Sequence, residues 1–341
     1  MCCCCSPIIA DGSRVNGTSL RAALDLARSR SAVQLAHQEI NKMSFDSSKP
    51  DIYEQVTQAL ITALEEGAGE YRMPWHSLAH PVNATSQKAY RGINTLLLWA
   101  AAQNRQYESN EWATYRQWQD LGGQVRKGER STLIVFWKFF DSNKESDETA
   151  DDDTDTSTNK RSRCMARAYN VFNAAQVDDV PAKSHEYLPE SERIAHAEEF
   201  FTALPGNVIY EGESAYYSPA NDSIHMPSFS KFKSGSAFYS VLGHERAHWS
   251  GAAARLNRDL TGRFGDAKYA LEELIAEISS AMLCAHLQLA LEPRADHAPY
   301  LQNWLKVLRN DKRAIFTAAS KAQEAVTYLQ ELAGIPVPRA A

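Results

Sequence analysis

The sequence predicts an α+β protein of two domains: an N-terminal one that pairs helices with a β-hairpin, and a mostly helical C-terminal one with a small antiparallel sheet. Three observations predict it. The chain has 341 residues, too many for one ordinary domain and about right for two. Helical apolar spacing and short aromatic or β-branched runs alternate in the first half and give way to long helical stretches in the second. Between them, 178–190 carries Pro181 and Pro189. The expected divisions are a poorly ordered extension over 1–48, a first domain over 49–180 and a second over 185–337.

Each element follows from local pattern. Ile52, Val56, Leu60, Ile61 and Leu64 recur at helical spacing, and Gly67-Ala-Gly69 stops that helix. A second helix, Asn94 to Gln103, is apolar nearly all round (Leu96, Leu97, Leu98, Trp99) and should be buried. A third is expected from Trp112 through Trp118, ending in Gly122-Gly123. Ser131 to Phe140 and Met165 to Phe172 read as strands. Between these strands, 141–163 holds eight acids and four bases, with no aromatic residue and no aliphatic beyond Ala150. It cannot bury apolar area, so the expectation is a disordered hairpin loop. The second half reads as helix 191–203, short strands near 208–210, 215–218 and 223–226, a helix from Ser236 to Ser250, another from Lys268 to Leu291, and helical patterning from Tyr300 to Leu332.

Composition excludes some classes. The longest apolar run, Leu96 to Ala102, is too short to span a bilayer, so no membrane partner is expected. Four of the six cysteines stand at Cys2 to Cys5, without the spacing of a disulfide framework. A reduced, cytoplasmic protein is the expectation. Net charge is −6 and the pI about 6.0, which by bulk charge argues against nucleic acid. The average conceals a local excess: eight cations against four anions lie between Lys88 and Lys138, interleaved with Tyr90, Tyr107 and Tyr115. Cationic side chains among aromatic rings suit single-stranded nucleic acid, since phosphates pair and bases stack.

The second half carries a chemical constellation. His244-Glu245-Arg-Ala-His248 lies on an expected helix. Histidines at i and i+4 share one helical face and can bind one Zn²⁺, or another divalent metal, and Glu245 is then placed to take a proton from an activated water. A third ligand is needed. An extension with histidine six positions beyond His248 is excluded, because Ala254 stands there; Gly251 then ends the helix. Glu273 and Glu277, four apart on the next helix, are the candidates. Glu273 is favoured as ligand and Glu277 as hydrogen-bond partner of a histidine ligand, with the reverse as the rival. Cys284, His286 and His225 read as structural. A strand beside such a helix, 215–218 or 223–226, could pair with an extended peptide.

Tyr90-Arg-Gly-Ile-Asn94, the Leu-Leu-Leu-Trp helix, Trp112-Ala-Thr-Tyr-Arg-Gln-Trp118 and Gly122-Gly-Gln-Val-Arg-Lys-Gly-Glu129 together resemble the N-terminal domain of ArdC-type antirestriction proteins, a domain also related to the start of plasmid conjugation primases. The second half resembles the same family in Tyr217-Ser-Pro, Asp222-x-Ile-x-Met-Pro227, His244 to Gly251, Arg255-Leu-Asn, Phe264-Gly-Asp, Tyr269 to Glu277 and Asn310 to Phe316. The resemblance runs in order from about residue 50 to 335. It implies a single-stranded-DNA-binding first domain, a zincin-type metallopeptidase-like second domain, and a role on mobile elements in shielding incoming DNA from restriction. Under that reading Lys88, Arg91, Arg126, Lys127 and Arg130 contact phosphates, and Tyr90, Trp112 or Tyr115 stack on bases. Two rival readings stand: a metallopeptidase that cleaves a host protein, with the first domain for targeting, and a restriction-enzyme inhibitor whose acidic run 141–155 imitates DNA.

Overall fold

The computed structural model describes residues 51–67, 73–75, 79–140, 163–180, 189–263, 265–289 and 298–334. The expected N-terminal extension and the acidic hairpin loop lie outside the described residues. Ile52–Ala341 closes into one compact unit.

Helix α1 (Ile52–Gly67) buries the stripe that its spacing announced: Val56, Leu60, Ile61 and Leu64. Helix α2 (Ile93–Asn104) is buried continuously from Ile93 to Ala100, as its all-round apolarity requires. Gly92 precedes it at φ +56°, where a side chain is strained. The expected third helix is shorter than its pattern. Glu111–Ala113 forms strand β2, beside β1 (Val82–Asn83), and only Tyr115–Asp120 is helical, as α3. Thr114 sets that start, because it and Gln117 form a reciprocal capping box. The stop is the expected glycine: Gly122 has φ +85°, and the amides of Gly122 and Gly123 bond back to Gln119 and Trp118.

Strands β4 (Thr132–Phe140) and β5 (Arg163–Asn173) pair antiparallel from Thr132↔Val171 to Phe140↔Arg163. The acidic stretch therefore joins two strands of one hairpin. The sheet order is β1-β2-β5-β4, which leaves β4 at an edge. Asn94 covers that edge: its amide donates to the Val135 carbonyl at 2.9 Å and its oxygen accepts from the Val135 amide at 2.8 Å. Strands β3 (Gln124–Val125) and β6 (Val177–Asp178) make a separate pair.

Helix α4 (Glu190–Ala203) leads to strands β7 (Asn207–Tyr210), β8 (Tyr216–Ser218) and β9 (Ser223–Met226). This sheet is mixed rather than antiparallel throughout: β7 runs parallel to β9, and β8 runs antiparallel to it. The chain crosses over between β7 and β9 by way of the β8 excursion. Helices α5 (Gly235–Ser250) and α6 (Ala267–His286) follow; α6 stops five residues before the expected Leu291. The patterning from Tyr300 to Leu332 is two helices, α7 (Ala298–Asn310) and α8 (Ala314–Leu332). Asp311 makes the break, its carboxylate accepting from the Arg313 amide at 2.8 Å.

One core cluster takes in Val56 and Leu60 of α1, Leu96 of α2, Val135 of β4, the interior of α6, and Ile315 to Leu329 of α8. The Thr57 hydroxyl bonds the Lys312 carbonyl at 2.8 Å, and the Trp75 and Trp304 rings lie 6.1 Å apart. The two sequence-defined regions thus share an interior.

Candidate metal centre

Helices α5 and α6 build the centre. His244 and His248, one turn apart on α5, bring their Nε2 atoms to 3.1 Å. Glu273 of α6 faces both, with one carboxylate oxygen 3.5 Å from His244 Nε2 and the other 3.5 Å from His248 Nε2. These three are the metal-capable group found among the described residues. Their geometry tests directly against an ion. Donors bound tetrahedrally at about 2.0–2.1 Å sit about 3.3 Å from one another; the two Nε2 atoms are 3.1 Å apart, each lies 3.5 Å from a different oxygen of Glu273, and one ligand atom from each residue falls within 4.8 Å of the others. A His₂Glu set suits zinc or a similar divalent ion.

The surrounding charges are anionic. Burial opposes protonation of His244, yet the neighbouring carboxylates of Glu273, Glu277 and Glu245 raise its pKa to about 10. Burial likewise pushes Glu273 up, but His244 and the positive charge at His248 overcome it and hold the carboxyl down at about 2. Glu245 is buried one position beyond His244. A site where carboxylates outnumber imidazoles attracts a cation.

The supporting residues differ in part from expectation. Glu277 Oε2 lies 3.7 Å from His244 Nδ1, within ion-pair range but beyond the hydrogen bond expected of it. For His248 the partner is Glu272, which sequence reasoning passed over: its Oε1 is 3.1 Å from Nδ1. Arg258 grips Glu272 with Nε at 3.0 Å and a terminal nitrogen at 2.8 Å, and also donates to the Ala247 carbonyl at 2.6 Å. Glu272 stands next to Glu273 and so points about 100° round the helix, which still reaches the second histidine. Arg258 lies in a loop and carried no periodic signal. Gly251 ends α5 as expected, but the need for glycine is spatial: a Cβ there would meet the Arg258 guanidinium at 2.6 Å. Tyr269 also went unnoticed; its hydroxyl bonds Glu273 and helps hold that carboxyl ionised. His225 is structural, bonded to Ser223 at 3.1 Å and Glu211 at 3.0 Å, and Cys284 is buried in the core.

In the first half several expected DNA contacts are buried or held by other residues. Tyr90 and Trp112, expected to stack on bases, are 3% and 1% exposed and cannot present a ring face. The Tyr90 hydroxyl accepts from the Asn83 amide at 3.2 Å, and both rings belong to one apolar cluster. Arg91 bonds Thr327 of α8 at 2.8 Å, so it ties the halves together. Arg126 is exposed but held by Glu129 at 2.8 Å, Asp178 at 3.4 Å and the Ala175 carbonyl at 2.6 Å. Lys88, Lys127 and Arg130 are exposed. Tyr115 is 42% exposed and lies edge-on to Phe172 at 6.4 Å.

Residues 50–172 match the N-terminal domain of anti-restriction factor ArdC, and residues 195–321 match a zincin-like metallopeptidase family. The chain resembles the metal-free crystal structure of the antirestriction ArdC protein from plasmid R388 at 38% identity and a TM-score of 0.68, covering 84% of this chain and 100% of that one. It belongs to the ArdC antirestriction family. The Mn(II)-bound structure of the same R388 protein aligns with a TM-score of 0.67 over 83% of this chain and 98% of that one. Uncharacterized protein y4eC of Sinorhizobium fredii (strain NBRC 101917 / NGR234) is 50% identical over 283 residues, 82% of this chain and 91% of its own. DNA primase TraC of Escherichia coli is 35% identical over 291 residues, which span 81% of this chain and only 27% of the primase. Among the described residues no helix is long and apolar enough to cross a membrane.

Proposed function

We propose that this chain is an antirestriction protein of a mobile element, one that binds single-stranded DNA through its first half and carries a metal-dependent hydrolytic centre in its second. The observation that carries the hydrolytic reading is the His244–His248–Glu273 group, whose ligand atoms lie within 4.8 Å of one another with the two Nε2 atoms 3.1 Å apart, and in which Glu272 backs His248 and Tyr269 backs Glu273. The Mn(II) of the R388 relative supports a divalent ion here, zinc or another.

A divalent ion held by these three residues would supply Lewis acidity, polarising a carbonyl and acidifying water. The chain's own groups do the rest. Glu245 takes the proton from the attacking water and returns it to the leaving amine. Glu272, fixed by Arg258, holds the His248 ring with Nδ1 engaged, which leaves Nε2 as the atom that would hold the ion. Tyr269 holds Glu273, and Glu277 lies 3.7 Å from His244 Nδ1. Strand β8 is an edge of its sheet and offers backbone groups to an extended peptide. The DNA-binding reading rests on the match of 50–172, on the exposed cations Lys88, Lys127 and Arg130, and on Tyr115, which lines one cleft with Lys127.

Metal content decides the centre. Wild type should retain close to one divalent ion per chain after dialysis, and His244→Ala and Glu273→Ala should retain none; equal content in all three would rule the site out. Glu245→Ala separates binding from hydrolysis. If protection of DNA survives that change with the metal still bound, the peptidase chemistry serves another end, such as cleavage of a host protein.

A further inference from the structure

Tyr90 and Trp112, two of the three residues expected to stack on bases, are buried. On β4 and β5, residues two apart share a face. Phe136 lies opposite Arg167, and Ile134 opposite Tyr169, so all four side chains are on one face of the hairpin. Ile134 is buried. Phe136 and Tyr169 are 40% and 43% exposed, and their rings meet edge to face at 5.4 Å. Arg167 is exposed and forms no ion pair with a described residue. At the other end of the same face, exposed Arg105 bonds the Thr132 hydroxyl at 3.4 Å and the Arg130 carbonyl at 2.7 Å, which adds a cation there. On the opposite face Trp137 is packed against Tyr53 at 5.9 Å and Phe316 at 6.3 Å.

A soluble protein gains nothing in folding from leaving two large rings half in water, and such patches mark binding surfaces. Here the rings are bordered by an arginine at each end, about 13 Å apart along the strand at 3.3 Å per residue. Rings flanked by cations are what unpaired bases and their phosphates require. Duplex DNA keeps its base faces stacked and cannot use the rings.

We infer that the Phe136–Tyr169 face of the β4–β5 hairpin, bordered by Arg105 and Arg167, is the stacking platform for single-stranded DNA. The inference rests on the single-strand reading above and names the surface that performs it.

The test is fluorescence anisotropy of a labelled oligothymidylate titrated with the full chain at several salt concentrations. Tyr169→Ala and Phe136→Ala should each weaken binding roughly tenfold, a typical loss for one stacked base. Tyr169→Phe keeps the ring and should keep the affinity. Arg105→Gln and Arg167→Gln should each flatten the salt dependence by about 0.7 in the log–log slope. Should Phe136→Ala lower the melting temperature, Phe136→Leu retains the apolar bulk without a ring face and should show the same weakening. If wild type binds and the folded ring-deleted variants bind equally well, the platform is overturned while the single-strand reading stands. If wild type fails to bind at low salt, both fall.

Discussion

Glu272 sits between His248 Nδ1 at 3.1 Å and the Arg258 guanidinium at 2.8 and 3.0 Å, and that position sets what its loss would do. Glu272→Gln keeps an acceptor for the histidine but removes the charge that makes it basic. Divalent-metal affinity should fall about 10- to 100-fold by calorimetric titration, with Glu245 untouched; an unchanged affinity would reduce Glu272 to an anchor for Arg258. At this scale the histidines and Glu273 were legible because their spacing is itself the chemistry: i and i+4 on one helix face. Glu272, Arg258 and Tyr269 were not, because an orienting contact needs only a partner in space. The aromatic candidates failed for a related reason. Tyr90 and Trp112 carry the residue types of a stacking site, yet a ring serves a core as well as a base, and only exposure separates the two.

One side chain bonds the α2 helix to the hairpin backbone. Asn94 satisfies both backbone groups of Val135, and Asn94→Ala would orphan them in a buried place. The expected cost is about 2–4 kcal/mol, read as a lower melting temperature and faster amide exchange at the β4 edge; a neutral result would mean that water replaces the amide. His80 tests the same region by pH. Its Nδ1 is buried without a hydrogen-bond partner among the described residues, its ring lies 5.4 Å from that of Trp99 of α2, and burial, then the charges of His286 and Arg91, lower its pKa from 6.5 to about 4. The unfolded chain therefore takes up this proton first. The stabilisation is complete above about pH 6.5 and is lost as pH falls toward 4, at most about 3 kcal/mol. Denaturant midpoints for wild type should drop more steeply over that window than those of His80→Gln, and parallel curves would contradict it.

Across the whole molecule, the shared interior predicts cooperative behaviour. Because α1, β4, α6 and α8 contribute to one core, and Arg91 and Thr57 bond across to Thr327 and Lys312, calorimetry of the full chain should give a single unfolding transition. Excised residues 50–172 should be far less stable than the same residues in the intact chain; two well-separated transitions would show independent halves. Saturating divalent metal should raise the transition of wild type and leave that of His244→Ala in place. What the sequence determined by itself was local: helix periods, the capping glycine after Trp118, the hairpin strands and the His-Glu-x-x-His face, each set by neighbours within a turn or a strand pair. What only the tertiary structure decided was non-local. It placed Glu272 and Arg258 behind His248, buried Tyr90 and Trp112, and left Phe136 and Tyr169 in water. Periodicity reports which face of an element is apolar, and only packing settles what, if anything, comes to cover it.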